Sequence, residues 1–169
     1  MPEIVFDTCV ISNLALAGAL GILEGLYPNK AHITDFVAAE ILRGIQSGHA
    51  RLEAIPKALR AGWLKEGGLR PGQERGLFET LSVSLGLGEA SSIAIAKRRG
   101  FHLASNDRVA RTEAARLGVF LTGTLGILVK SVRTGVCELR AADAYLEKMI
   151  EAGFFFPVRS LREIPSDSP

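Results

Sequence analysis

Two short, mainly apolar runs that lie far apart in the chain each lead into an aspartate. Ile4-Val5-Phe6 is followed by Asp7, and Phe101-His102-Leu103-Ala104 is followed by Ser105-Asn106-Asp107. Runs of this kind are typical of strands that are covered on both faces, as in a parallel sheet. In an open parallel α/β sheet, ligands bind beyond the carboxyl ends of the strands, where the strand order reverses. The sequence therefore predicts a pocket at that edge, with Asp7 and Asp107 in it.

Strand-like and helix-like segments alternate along almost the whole chain, which predicts a parallel sheet with helices on both faces. The fold class that we predict is α/β. The predicted strands are 3–7, 31–34, 63–64, 101–105 and 119–121. The predicted helices are 9–26 with a break near Gly18 and Gly21, 35–45, 50–61, 74–85, 89–99, a helix ending near 117, 125–134 and 141–152.

The chain has 169 residues, of which 47% are hydrophobic and 22% charged, as expected for one compact domain. We place that domain at residues 1–163 and expect the polar tail 164–169 to be frayed. No apolar run approaches the roughly 20 residues of a membrane-spanning helix, and no secretory signal opens the chain, so we expect a cytoplasmic protein with no membrane partner. Cys9 and Cys137 are isolated thiols, which indicates neither a disulfide framework nor a zinc site.

Two further acids join the aspartates as candidates for a catalytic site. Glu40 falls within a predicted helix, and Glu89 stands in the first turn of another after Gly86-Leu87-Gly88. Four carboxylates in one pocket repel one another, and a divalent cation is the usual remedy.

Each acid also has an ordinary explanation. Asp7 and Asp107 are good helix N-caps, Glu40 can be a surface carboxylate, and Glu89 suits the helix dipole. The set is stronger evidence than its members, because all four can converge on one end of one sheet.

Two other groups of residues allow two interpretations each. Six basic residues near the second aspartate either contact phosphates or form a solvated surface; they are Lys97, Arg98, Arg99, Arg108, Arg111 and Arg116. Phe154, Phe155 and Phe156 either form an oligomer or partner surface or cover the core with alternate side chains. The three histidines fit no zinc spacing, and neither a Gly-rich phosphate loop nor a nucleophile elbow is present.

The acidic segments resemble the four motifs of PIN-domain ribonucleases. They are Val5-Phe6-Asp7-Thr8, Ala39-Glu40-Ile41, Gly86-Leu87-Gly88-Glu89-Ala90 and Ser105-Asn106-Asp107. The run from Leu117 to Gly126 resembles a segment found in a prokaryotic branch of the family that is related to VapC-type toxins.

The resemblance implies a three-layer α/β/α sandwich that hydrolyses RNA with Mg²⁺ or Mn²⁺. Asp7, Glu40, Glu89 and Asp107 are then the catalytic residues, with Asp7, Glu89 and Asp107 as metal ligands and Glu40 orienting or deprotonating the attacking water. It also implies a possible small antitoxin partner, and we expect a homo-oligomer. Close relatives often have an acid where this chain has Asn106, which keeps an oxygen ligand but loses a charge and so weakens the case for a second ion. The third motif has Glu89 where an aspartate is more usual, which lengthens the reach by one methylene.

Other classes of function fit less well. A haloacid-dehalogenase-type phosphatase needs an aspartate two residues after Asp7, where this chain has Cys9. A catalytically weak module that binds RNA or protein is the alternative that the asparagine allows and the four acids argue against.

Overall fold

A five-stranded sheet forms the centre of the computed structural model, which describes residues 2–165. Its strands are β1 (Ile4–Phe6), β2 (Ala31–Thr34), β3 (Leu64–Gly67), β4 (His102–Ala104) and β5 (Leu121–Thr122). All neighbouring strands are parallel, in the order β3-β2-β1-β4-β5. The chain therefore builds outwards from β1 in one direction and then in the other. The strand order reverses between β1 and β4, where Ile4 pairs with His102 and Phe6 with Ala104.

Helices fill the connections between the strands. They are α1 (Thr8–Leu16), α2 (Gly21–Leu26), α3 (Asp35–Gln46), α4 (Ala54–Ala61), α5 (Gln73–Leu81), α6 (Leu87–Arg99), α7 (Arg108–Arg116), α8 (Thr124–Arg133) and α9 (Leu139–Glu151). Short 3₁₀ turns at Ala50–Glu53 and Leu161–Glu163 precede α4 and follow α9. No helix in the described part of the chain is long and apolar enough to cross a membrane.

The two faces of the sheet bury two separate cores. Ile4 and Phe6 of β1 point into the larger core, with residues of α1, α2, α3, α4, α8 and α9. Val5 points the other way, into a smaller core with α6, α7 and the end of α5. This alternation follows from the period of two along a strand. The prediction of an α/β fold with helices on both faces of a parallel sheet is confirmed.

Most differences from the predicted elements lie at helix ends. The break in the first helix is confirmed, since Gly18 has φ +74° after α1. The last strand begins at Leu121 instead of Val119, because the Val119 amide still donates to Ala114 O at the end of α7. The helix predicted to reach Leu85 ends at Leu81, and turns continue to Leu85. Such ends are decided by capping bonds that propensity does not reveal.

The C-terminal segment packs on the larger core. Phe154 and Phe156 are partly buried there, whereas Phe155 is 92% exposed. Alternate phenylalanines thus cover the core, as one of the two interpretations predicted. Ile164, placed in the frayed tail by the sequence, also packs against this core. Residues 166–169 of that tail lie outside the described residues.

Candidate active site

Asp7 and Asp107 stand at the carboxyl ends of the two strands between which the strand order reverses. Asp7 is the N-cap of α1, and its Oδ1 accepts a hydrogen bond from Val10 N at 2.9 Å. Asp107 is the N-cap of α7, and its Oδ1 accepts from Ala110 N at 2.8 Å. The capping explanation therefore holds for both, yet it occupies only one oxygen of each carboxylate.

The other oxygen of Asp7 is buried without a partner. Asp7 is 1% exposed, and its Oδ2 accepts no hydrogen bond from the described residues. Burial raises the pKa of Asp7 to about 6, the Ser105 side chain and the Val10 amide oppose the rise, and the charges of Glu89 and Asp107 add to it. A buried carboxylate in this condition is stabilised by a cation.

Glu89 likewise uses one carboxylate oxygen in a hydrogen bond within the fold, while its other oxygen makes none with the described residues. It stands in the first turn of α6, where Oε2 accepts from Gly86 N at 3.1 Å. Burial raises the pKa of this half-buried carboxyl, and the charges of Asp107 and Glu40 contribute to the rise. Oε1 makes no hydrogen bond with the described residues. Asp7, Glu89 and Asp107 therefore each keep one oxygen for a ligand.

Glu40 differs, because both of its oxygens are used. It lies in α3 and is half-buried, so it is not a plain surface carboxylate. Oε2 accepts from the Thr8 hydroxyl at the start of α1, and Oε1 accepts from Gly88 N in the first turn of α6 at 3.2 Å. Glu40 thereby joins the starts of the two helices that carry Asp7 and Glu89.

Gly88 is a part of the site that sequence reasoning missed. A Cβ there would lie 2.9 Å from both carboxylate oxygens of Glu40, closer than real Cβ atoms come. Its carbonyl accepts from the hydroxyls of Ser91 and Ser92 at 3.0 and 2.7 Å. Ser91 also bonds Thr34, the N-cap of α3, at 2.8 Å. The available signal was the glycine itself, directly before the candidate acid.

Three of the four predicted acids line one small cavity of about 100 Å³; its lining residues are Asp7, Thr8, Cys9, Glu40, Gly86 and Glu89. Asp107 does not line it, although its charge acts on both Asp7 and Glu89. Across residues 2–165, no three acidic, histidine or cysteine side chains are arranged ready to hold an ion. The donors nonetheless fit a hard cation chemically, since all are oxygens and Mg²⁺ keeps several of its waters.

The side-chain amide of Asn106 links the turn after β4 to the start of α8, and its oxygen is already hydrogen-bonded there. Its Oδ1 accepts from Thr124 N at 3.0 Å, and its Nδ2 donates to Thr124 Oγ1 at 2.7 Å. Both polar atoms of the amide thus cap α8, which begins at Thr124. The Asn106 side-chain oxygen is therefore already hydrogen-bonded to the start of α8.

Comparison with known proteins decides the family. The model of the PIN domain matches residues 3–167, nearly the full chain. This chain belongs to the PIN-domain family. Membership indicates a nuclease, and PIN domains generally use divalent metal ions. No curated protein matches the chain.

The basic cluster of this PIN domain is largely engaged within the fold. Arg99 pairs with Glu74, and Arg116 with Glu113. Lys97 donates to Leu117 O at 2.7 Å. Three of the six basic residues are thus bonded to other residues of the fold, and neither of the two interpretations described them in this way. Arg111 is the member held beside the acidic turn, where its Nη1 donates to Ser105 O at 2.7 Å and to Thr122 O at 2.9 Å.

Proposed function

We propose that this PIN-domain protein is a Mg²⁺- or Mn²⁺-dependent endoribonuclease that hydrolyses RNA phosphodiester bonds. The observation that carries the proposal is the Asp7 carboxylate, buried with one oxygen unpartnered at the point where the strand order reverses. Glu89 and Asp107 stand near it, each with a carboxylate oxygen that the fold does not use.

The residues divide into ligands and a positioning residue. Asp7, Glu89 and Asp107 would hold the cation through the oxygens left over from capping. The bound cation would supply charge neutralisation and an activated water for phosphodiester cleavage. Glu40 acts through Thr8 and Gly88, because its two oxygens already hold the starts of α1 and α6. By holding the starts of α1 and α6 together, Glu40 would help indirectly to orient the attacking water.

Finer expectations accompany the proposal. From the resemblance to VapC-type proteins we propose a toxin that a small antitoxin restrains, acting in the cytoplasm as a homo-oligomer. Light scattering of the purified protein tests self-association, and co-purification with the product of a neighbouring gene tests the antitoxin.

The deciding experiment compares cleavage of a mixed labelled RNA pool and a DNA pool of matched sequence. Wild type and Asp7→Asn are assayed with Mg²⁺, with Mn²⁺ and with chelator. The matched control is Asp35→Asn, which removes an exposed carboxylate at the start of α3. We expect metal-dependent cleavage of RNA that is lost in Asp7→Asn and kept in Asp35→Asn. Binding of RNA without cleavage under any condition would favour the catalytically weak binding module instead.

A further inference from the structure

A second, larger cavity lies directly beside the acidic turn. It measures about 500 Å³ and is formed by the end of β5, the start of α8 and the segment 155–157. Asn106, the residue before Asp107, lines it. The cavity therefore borders the turn that carries Asp107, although none of the four acids lines it.

One wall carries an uncovered aromatic ring. Phe155 is 92% exposed and lines this cavity, while Phe154 and Phe156 on either side of it pack against the core. The backbone at Phe155 is thus held on both sides, and the face of the Phe155 ring stays open to a ligand. Aromatic rings in this situation are the usual platforms for unpaired bases, since every base has a π-face.

A fixed cation lines the same cavity. Both hydrogen bonds of the Arg111 guanidinium to described residues come from Nη1, which donates to Ser105 O and Thr122 O. Nε and Nη2 keep their N–H groups for another acceptor. A guanidinium held in this way presents charged donors of the kind that suit a phosphate.

We propose that this cavity is a subsite for one unpaired nucleotide of the substrate, next to the bond that is cleaved. The base stacks on Phe155, and the phosphate contacts Arg111. The inference rests on the proposed nuclease function and specifies its substrate as single-stranded at this position. A base in the interior of a duplex cannot occupy the subsite, because both of its faces are already stacked on neighbouring pairs.

The test measures binding separately from cleavage. Fluorescence anisotropy follows a labelled single-stranded RNA and the blunt duplex of the same sequence, in chelator, so that no cutting occurs. The variants are Phe155→Ala, Phe155→Leu and Phe155→Trp. The matched control is Phe120→Ala, because Phe120 is 74% exposed but stacks on His102 and does not line this cavity.

We expect Phe155→Ala to weaken single-strand binding about 5- to 150-fold, the usual worth of one base–aromatic stack. Phe155→Leu should be as weak, because it keeps apolar surface but loses the ring, and Phe155→Trp should bind at least as well as wild type. Phe120→Ala should bind like wild type. Duplex binding should be unchanged in every variant.

Three results would overturn the inference. Equal affinity of Phe155→Ala and wild type would remove the ring from the subsite, and so would an equal loss on the duplex. A change in oligomeric state of Phe155→Ala without loss of RNA affinity would make the ring a self-association contact. Failure of the nuclease function is distinguishable, since it would show as Phe155-dependent binding with no metal-dependent cleavage. Absence of single-strand binding by the wild type in chelator would refute the subsite, whereas the nuclease function is decided by metal-dependent cleavage alone.

Discussion

The carboxylates of this site show that capping and ligand binding are compatible in one side chain. Asp7 and Asp107 cap helices with Oδ1, and Glu89 binds the Gly86 amide with Oε2. Each bond fixes the rotamer of the acid and leaves its second oxygen available. Helix capping therefore holds each candidate ligand in a fixed orientation and still leaves one carboxylate oxygen to bind a cation.

Asp7→Asn should stabilise the metal-free protein. The pKa of Asp7 is raised from 3.8 to about 6, so the folded state binds the proton more tightly than the unfolded one. Ionisation across this range therefore lowers stability as pH rises. Denaturant unfolding in chelator should show a gain for Asp7→Asn that is small near pH 4 and grows to at most about 3 kcal/mol near pH 8.

Added Mg²⁺ should stabilise wild type and leave Asp7→Asn nearly unchanged, because a ligand stabilises only the form that binds it. The control Asp35→Asn should differ from wild type by less than about 0.5 kcal/mol throughout. A gain for Asp7→Asn that is constant with pH would contradict this account of the buried carboxylate.

Gly88→Ala should disable the site through Glu40. The new Cβ would lie 2.9 Å from both Glu40 oxygens, so the carboxylate must shift, which disturbs its hydrogen bonds with Thr8 and the Gly88 amide. We expect loss of nuclease activity and a drop of roughly 1–3 kcal/mol in unfolding free energy. In a Glu40→Ala background the added stability cost of Gly88→Ala should largely vanish, which a double-mutant cycle measures.

Gly76→Ala is the matched control for that substitution. Gly76 lies in the exposed part of α5, and a Cβ there would meet no atom within 4 Å. It should raise stability by about 0.5–1 kcal/mol, the usual preference of a helix for alanine, and leave activity intact. Equal behaviour of the two glycine variants would exclude the steric role of Gly88.

Among the secondary-structure elements, α5 and α6 are held together by one nearly buried ion pair. Arg99 near the end of α6 donates through Nε and Nη2 to Glu74 at 2.7 and 2.9 Å, and the Arg70 amide donates to the same carboxylate at 2.7 Å. The Glu74 side chain is only 6% exposed. This pair secures the helix whose first turn carries Gly88 and Glu89.

Glu74→Gln should destabilise the protein in a pH-dependent way. The hydrogen bonds from Arg99 hold the pKa of Glu74 below its usual 4.5. Its stabilising effect is therefore present above pH 4.5 and is lost as pH falls through the lowered value. We expect a loss of about 1–3 kcal/mol near neutral pH in urea unfolding, shrinking towards zero in acid.

Glu113→Gln provides the comparison, because the Glu113–Arg116 pair spans one turn of α7 and the arginine is 64% exposed. An exposed pair contributes about 0–1 kcal/mol, so this variant should be close to wild type. If both variants lost the same stability, burial of the Glu74 pair would not be the cause.

For the molecule as a whole, the segment after α9 belongs to the folded unit. Leu161 is 6% exposed within the larger core, whereas Phe155 in the same segment is almost fully exposed. Leu161→Ala should cost about 2–4 kcal/mol in unfolding free energy, because it leaves a cavity. Phe155→Ala should change it by less than about 0.5 kcal/mol. Similar losses would mean that the segment packs differently.

The strands and helices that frame the site could be predicted because their signals are local. Apolar runs before Asp7 and Asp107 mark buried strands, and the glycines after α1 and α6 mark helix ends. The same local signals gave the four acids as candidates. The carboxyl-edge rule for parallel sheets predicted that Asp7 and Asp107 would lie at one edge, but no local signal specified the direct pairing of β1 with β4 that places them side by side.

Residue types and their periodicity thus determined the fold class, the parallel sheet and the list of acids, because each depends on neighbours in sequence. Tertiary structure alone decided which carboxylate oxygens stay free, that Glu40 joins α1 to α6, and that Asn106 caps α8. It also decided that Phe155 faces outwards beside Arg111. These outcomes depend on hydrogen bonds and packing between residues distant in the chain, whose partners no local pattern specifies.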